Sequence, residues 1–209
     1  MKSLAHYIQE KLVINSLQEK LVIKKGNQYK YFPETKKELK SIIKQRIKDE
    51  GNEVDLNDID VSNITDMSKL FFYSDFNGNI SQWDVSNVKN MMNMFFNCKY
   101  FNGDISTWDV SNVKDMSRMF LGCEKFNSNI STWDVSNVKD MSGMFFGCEL
   151  FNQDISKWYV SNVINMYNMF NGCVKFNQDI SSWNVSNVKD KDDMFHSCSI
   201  EEKYKPKFK

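Results

Sequence analysis

The chain has 209 residues, 27 basic and 27 acidic, so its formal charge at neutral pH is zero. That balance argues against a general electrostatic grip on nucleic acid and equally against an acidic mimic of DNA. Apolar residues make up 41% and aromatics 14%, enough for a packed core, and no stretch approaches the roughly 20 apolar residues that cross a bilayer.

The first 33 residues form one segment. Leu4, Ile8 and Leu12 lie on one face of an amphipathic start. Charge arrives too early for a secretory signal, which needs an apolar core of about 7–15 residues. The block Gln9-Glu10-Lys11-Leu12-Val13-Ile14 recurs as Gln18-Glu19-Lys20-Leu21-Val22-Ile23. The opening MKSLAHYIQE is similar to the capsid-targeting peptides of T-even-like phages, which run MK-x-x-x-x-[FY]-[IL]-x-E and are cut after [LI]-x-E. Ile8-Gln9-Glu10 and Leu17-Gln18-Glu19 both fit, so this resemblance implies processing after Glu10 or Glu19. Residues 20–24 and 28–32 then flank Gly26-Asn27, the pattern of a hairpin.

Residues 34–57 hold the clearest helix. Thr35 is an N-cap, Leu39, Ile42, Ile43 and Ile47 make one apolar stripe, and Gly51 ends it. Such a helix is expected to cover the first coil of the repeat region.

From residue 58 to 198 the chain repeats every 25 residues. Trp83, Trp108, Trp133, Trp158 and Trp183 are all of its tryptophans, and Cys98, Cys123, Cys148, Cys173 and Cys198 are all of its cysteines. A fixed period of this length predicts a solenoid of about six coils, each burying its apolar face only against its neighbours. In the unit from Cys98 to Cys123 the apolar positions are Phe101, Ile105, Trp108, Val110, Val113, Met116, Met119, Phe120 and Cys123. Val113, Met116, Met119 and Phe120 fall on one face of a helical period, with Asn112 as N-cap and Gly122 as stop, which predicts a short helical turn. Residues 102–108 read as a strand, with Ile105 inside and Trp108 at the turn where the strand leaves a parallel ladder. The first unit is one residue short and lacks the Cys; the last carries Lys191-Asp192-Asp193, polar ends that suit an open-ended stack. Residues 199–209 are a basic tail.

This pattern, NxDIS-x-W-DVSNVKDMS-x-MF-x-GC, closely resembles the BspA-like leucine-rich repeat family, with Met119-Phe120-Leu121-Gly122-Cys123 near its AF-x-x-C ending. The resemblance implies a leucine-rich-repeat-like α/β solenoid, with short parallel strands on one face and short helical turns on the other. Many relatives are surface lipoproteins or adhesins that bind host proteins; this chain shows no signal peptide or lipobox.

Catalysis has little to stand on. The histidines are His6 and His196, near opposite ends of the chain, and no Ser-His-Asp set, Cys-His set or Gly-rich phosphate loop can be assembled. An odd number of cysteines in a periodic column, with no CxxC spacing, reads as reduced core thiols rather than disulfides or a zinc site. Informative variation lies outside the core. Two columns flank the Trp: Gln82, Thr107, Thr132, Lys157 and Ser182, then Asp84, Asp109, Asp134, Tyr159 and Asn184. They read as solvated turn caps or as the edge of a partner-binding strip, with Lys157 and Tyr159 breaking the pattern. A third varied column holds Phe96, Leu121, Phe146, Asn171 and His196 on the outer helical face, and its three apolar members read as an exposed patch for a partner or as completing the core.

The expectation is therefore a non-enzymatic, monomeric protein-binding scaffold with no cofactor, metal, nucleic acid or membrane partner. It is expected in the cytoplasm, or in a virion. The alternatives are a phage-encoded protein that is packaged or inhibits a host protein, and an adhesin-like surface protein.

Overall fold

A computed structural model of the chain describes residues 29–208. The amphipathic start, most of the expected hairpin and both candidate processing sites, Glu10 and Glu19, lie outside the described residues. Of the hairpin, residues 29–32 are described, and Tyr31 makes a parallel bridge to Ile59.

Helix α1 spans Lys36–Glu50. Thr35 stands just outside it with extended backbone, and its hydroxyl accepts the Glu38 N–H at 3.2 Å. The Glu38 carboxylate reaches back to accept the Glu34 N–H at 2.9 Å. Side chains thus satisfy the Glu38 N–H of the first turn and the Glu34 N–H just before the cap. Gly51, at φ 90°, ends the helix while its N–H still donates to Ile47. Leu39 and Ile43 are buried against the first coil, with Ile42 and Ile47 partly so. Arg46 ties the far end down, donating to Asp58 at 2.7 Å and to the Asp55 carbonyl at 2.9 Å and pairing with Glu50. Lys36 pairs with Asp66 at 3.1 Å at the other end.

Beyond α1 the chain winds in coils that lie on one another in register. Parallel bridges link Asp66 to Asn90, then Asn90, Asp115, Asp140, Asn165 and Asp190 in succession. The first step is 24 residues and the others 25, so the residue missing from the first unit is absorbed at the coil boundary. Register extends beyond 58–198 at both ends. Asp55 bridges Asn79, and the Asn77 N–H donates to Asn52. At the other end the Glu201 N–H donates to the Asn177 side chain and the Ile180 N–H to the Tyr204 carbonyl. The C-terminal tail is therefore a partial coil: Ile200 and Pro206 are buried, Glu202–Tyr204 form a 3₁₀ turn, and Tyr204 and Phe208 pack on the core.

The two halves of each coil differ from the expected strand and helix. Over 113–123 there is no helix. The N–H groups of Met116, Arg118, Phe120 and Gly122 leave the coil and donate to Asp140, Ser142, Met144 and Phe146 of the next, at 2.7–3.0 Å. Those of Met119, Leu121 and Cys123 turn back to the residue three before. Successive tight turns result, and they need left-handed backbone twice per coil: Arg118 at φ 52° and Gly122 at φ 73°, with Asn93 and Asn97, Gly143 and Gly147 at equivalent places. A helix would consume internally the N–H groups that this stack spends on its neighbour. At Gly122 a Cβ would also stand 2.0 Å from the Asn97 amide oxygen.

Nor is 102–108 a strand. There the coils are joined through side chains. The Asn77 amide oxygen accepts the Asn102 N–H at 2.9 Å, and Asn102 does the same for Asn127 at 2.8 Å. Asn112 donates to the Ser86 carbonyl at 2.8 Å. The backbone ladder runs instead through the Asp115 column, where the Lys114 N–H meets the Lys89 carbonyl at 2.9 Å.

Side chains fill the interior in columns. All nine apolar positions of the 98–123 unit are buried, Trp108 included at 4% exposure. The Trp column takes its polar edge inside with a partner: Trp108 donates to Ile80, Trp133 to Ile105 and Trp158 to Ile130, each a carbonyl of the preceding coil at 3.1–3.2 Å. Phe95, Phe120 and Phe145 stack nearly parallel at 5.6–5.9 Å, and each meets a second column, Phe101, Phe126 and Phe151, at 3.9–4.1 Å. The thiols of Cys123, Cys148 and Cys173 donate to Phe carbonyls of the preceding coil at 2.9–3.0 Å.

Two measurements test this interior. Trp133→Ala removes a buried indole and one of the two hydrogen bonds to the Ile105 carbonyl, and is expected to lower the unfolding free energy in urea by about 3–5 kcal/mol. Burial pushes the Cys98 thiol up to about 12 and those of Cys123, Cys148 and Cys173 well above the ordinary range. In the folded chain at neutral pH a thiol reagent is expected to modify the half-buried Cys198 first, and the other four only upon unfolding. Because these folded-state values are raised, their contribution to stability is full below the ordinary thiol value and falls as pH rises above it.

Candidate functional site

The two columns flanking the tryptophans arise from the local rule that buries Trp. In Ile105-Ser106-Thr107-Trp108-Asp109-Val110, Ile105, Trp108 and Val110 point inward, which leaves Thr107 and Asp109 exposed on either side of the indole. All ten strip residues are exposed: Gln82, Asp84, Thr107, Asp109, Thr132, Asp134, Lys157, Tyr159, Ser182 and Asn184.

Most of them have structural work. Asp84, Asp109 and Asp134 each accept the backbone N–H of the serine two residues on, at 2.9–3.0 Å, and Asn184 does so at 3.2 Å. These are side-chain turn caps, and they explain how three aspartates tolerate one another in a column. Thr107 and Thr132 donate their hydroxyls to the Ser81 and Ser106 carbonyls at 2.9 and 3.3 Å. Lys157 replaces the threonine and Tyr159 the aspartate in the next coil, so neither makes its column's bond.

That coil is also where the flank becomes concave. A hollow of about 720 Å³ is lined by Thr132, Trp133 and Asp134 of one coil, Asp154, Lys157 and Tyr159 of the next, and Asn129, Ser131 and Gln153. Gln82 lines a separate hollow of about 320 Å³, with Lys30, Arg46, Asp55, Asn57 and Asp58. Asp84, Thr107, Asp109, Ser182 and Asn184 line neither. The structure thus brings Thr132, Asp134, Lys157 and Tyr159 together and separates the rest.

Sequence reasoning missed Asn129, Ser131, Gln153 and Asp154. Their signal was present in a neighbouring column that reads Gly78, Gly103, Ser128, Gln153 and Gln178 along the stack. Where the early coils have glycine, the later ones have a long amide. Gln153 donates to the Asn127 carbonyl at 2.8 Å and stands as a wall of the hollow.

The charged residues lining the larger hollow are Asp134, Asp154 and Lys157. Side-chain and backbone donation from Ser156 holds the Asp154 carboxyl below its usual range, and Lys157 adds to the effect. Ser106 acts likewise on Asp104, and Ser111 on Asp109. Tyr159 is 62% exposed, a large aromatic surface beside this charge. The arrangement offers a hydrogen-bonding wall, two carboxylates, one cation and one aromatic platform. Among the described residues no group of three or more His, Cys, Asp or Glu is placed to hold a metal ion, and no helix is long and apolar enough to cross a membrane. His196 is exposed in the final coil; His6 lies outside the described residues.

These depressed carboxyls give a pH prediction. A group whose folded-state value is lowered contributes stability above its unfolded value and loses it as pH falls through the folded one. The melting temperature is expected to hold above about pH 5 and to fall below about pH 4. An Asp104→Asn/Asp154→Asn variant, which keeps an acceptor oxygen on each turn, is expected to show a shallower acid limb in a thermal melt series.

Two overlapping stretches of the chain, 37–142 and 122–205, match the family described as "Mycoplasma protein of unknown function, DUF285". No curated protein and no solved structure matches the chain. Together the two matches run from the start of α1 to the partial coil that closes the stack, so the chain belongs to this mycoplasma family, DUF285.

Proposed function

We propose that this chain is a non-enzymatic protein-binding scaffold that recognises its partner through the flank of the stack centred on Lys157 and Tyr159. In this reading the coils are a BspA-like solenoid of the leucine-rich-repeat class, and recognition needs neither cofactor nor chemistry. The observation that carries it is a coincidence of two independent facts. Tyr159 is the one member of its column without the turn-capping bond, Lys157 replaces the threonine that bonds to the preceding coil in the two coils before it, and both line the 720 Å³ hollow. A side chain released from a structural bond, and exposed beside a concavity, is free to contact another molecule. Tyrosine is among the residues enriched at interface hot spots.

The scaffold suits such a role because its columns are stacked and hydrogen-bonded coil to coil, so a surface built on them is presented with little ordering cost. The Lys157→Ala/Tyr159→Ala variant is expected to melt within about 2 °C of the parent, since exposed substitutions shift stability by at most about 0.5 kcal/mol. Against a partner captured from the native host and then purified, the same variant is expected to lose about 2 kcal/mol of affinity by calorimetry, roughly thirtyfold. Unchanged affinity at unchanged stability refutes the assignment of this flank.

A further inference from the structure

A second surface lies elsewhere on the coil circumference, on the tight turns that replace the expected helix. Phe72, Phe96, Leu121 and Phe146 occupy one column, because the N–H groups of Tyr73, Asn97 and Gly122 meet the carbonyls of Phe96, Leu121 and Phe146 in turn, at 2.6–2.8 Å. Unlike the neighbouring Phe71 and Phe95, which are buried, Phe72 is exposed and Phe96, Leu121 and Phe146 are half-buried. Phe72 is 39% exposed, and Tyr73 beside it is 64% exposed. Phe72, Tyr73 and Phe96 pack on one another at 4.7–5.3 Å between ring centroids. On the later coils, Leu121, Phe146 and the stem of Arg118 converge within 4.0 Å of the point where a Cβ would stand on Gly143. The result is an apolar ridge crossing four coils, and the last two coils end it with Asn171 and His196.

Cations border this ridge. Lys69 lies over the Phe72 ring at 5.7 Å, Lys40 of α1 reaches the Lys69 carbonyl at 3.3 Å, and Arg118 is exposed in the third coil of the column. Among the described residues none of these three has a carboxylate within 4.0 Å. Aromatic rings interspersed with arginine and lysine, without paired acids, call for a ligand that carries apolar and anionic groups together. Spacing narrows the choice. The Phe72 and Phe96 rings are 4.9 Å apart along the stack, close to the pitch of about 5.4 Å at which a helix repeats its side chains. A helix lying along the ridge sets apolar residues at i, i+3 and i+4 onto successive coils and carboxylates at its margin.

We propose that the Phe72–Phe146 ridge is a docking surface for an acidic amphipathic helical segment of a partner protein. It is separate from the Lys157–Tyr159 flank, and variants there serve as controls. The test pans a display library of random peptides about 16 residues long, some four helical turns, on the intact folded chain. Anionic vesicles of phosphatidylserine and phosphatidylcholine are assayed in parallel. Enriched peptides are expected to be net acidic with apolar residues at helical spacing. Their affinity is expected to fall by about tenfold or more in Tyr73→Ser and in Lys69→Glu/Arg118→Glu, with melting temperatures unchanged, and to stay the same in Lys157→Ala/Tyr159→Ala. Charge-reversed peptides are expected to bind the Lys69→Glu/Arg118→Glu variant better than the parent. Enrichment of basic or neutral sequences overturns the proposal, as does absence of enrichment or retention of the peptides by both ridge variants. Vesicle binding lost with Tyr73→Ser, without acidic peptide enrichment, assigns the ridge to a membrane instead and equally overturns it. If peptides depend on Lys157 and Tyr159 alone, the flank assignment survives and the ridge assignment fails.

Discussion

Everything in this molecule depends on backbone N–H groups that leave their own coil. Between Met116 and Gly122 every second N–H crosses to a carbonyl of the next coil, and the alternate ones close tight turns. Buried peptide groups must be paired, and this division pairs them in two directions at once. The outward bonds set the register of the stack. The inward ones give the polypeptide enough curvature to close a coil in 25 residues. Left-handed residues at two places per coil result from the alternation, which is why asparagine and glycine recur there. Once register is set, identical side chains face one another along columns, and the Phe, Trp and Cys interactions repeat without adjustment.

The ladder also accounts for what was legible in the sequence. Phe101, Ile105, Trp108, Val110, Val113, Met116, Met119, Phe120 and Cys123 are recognisable as interior because a column has to stay apolar along its length, and all are buried. Thr35, the Leu39–Ile43–Ile47 stripe and Gly51 mark α1 through capping and periodicity that need no tertiary information. The second half of the coil misleads for a physical reason. Successive turns closed by bonds to the residue three before place Met116, Met119 and Phe120 at the three- and four-residue spacings of a helix. Periodicity alone does not separate the two. What separates them is left-handed backbone at Arg118, which has no sequence signature in that coil and shows only as Asn93, Gly143 and Asn168 in its neighbours. The 102–108 half misleads differently. Its polar residues look like a solvated strand face, whereas Asn77, Asn102 and Asn127 form a ladder of their own.

The candidate flank was partly legible. Lys157 and Tyr159 stand out as departures from a repeat. That they share a hollow with Gln153 and Asp154 depends on which columns adjoin across the coil boundary, a fact that period and composition do not contain. The ridge was less so. Phe96, Leu121 and Phe146 share their apolar character with the core, and only the turn geometry tells Phe95, which is fully buried, from Phe96, which is half-buried. Functional surface on this architecture is written in small deviations from a dominant pattern, and the core residues contribute most of the repetition without contributing to the surface.

The one-coil reach of the contacts has a consequence for how such a chain changes over generations. Trp133 bonds to the coil before it, Cys148 to the coil before it, and the Asn amides likewise. No interior coil needs to know how many others there are. Recombination between equivalent repeats that removes or duplicates one whole unit leaves every bond with an equivalent partner, whereas a single missing residue has to be absorbed locally for later coils to keep their register, as it is in the 24-residue first step. The length of the stack is therefore free to vary in quanta of one coil between α1 and the closing C-terminal segment. Surface features spread across coils, such as the flank and the ridge, are then lengthened, shortened or moved apart as coils are gained or lost.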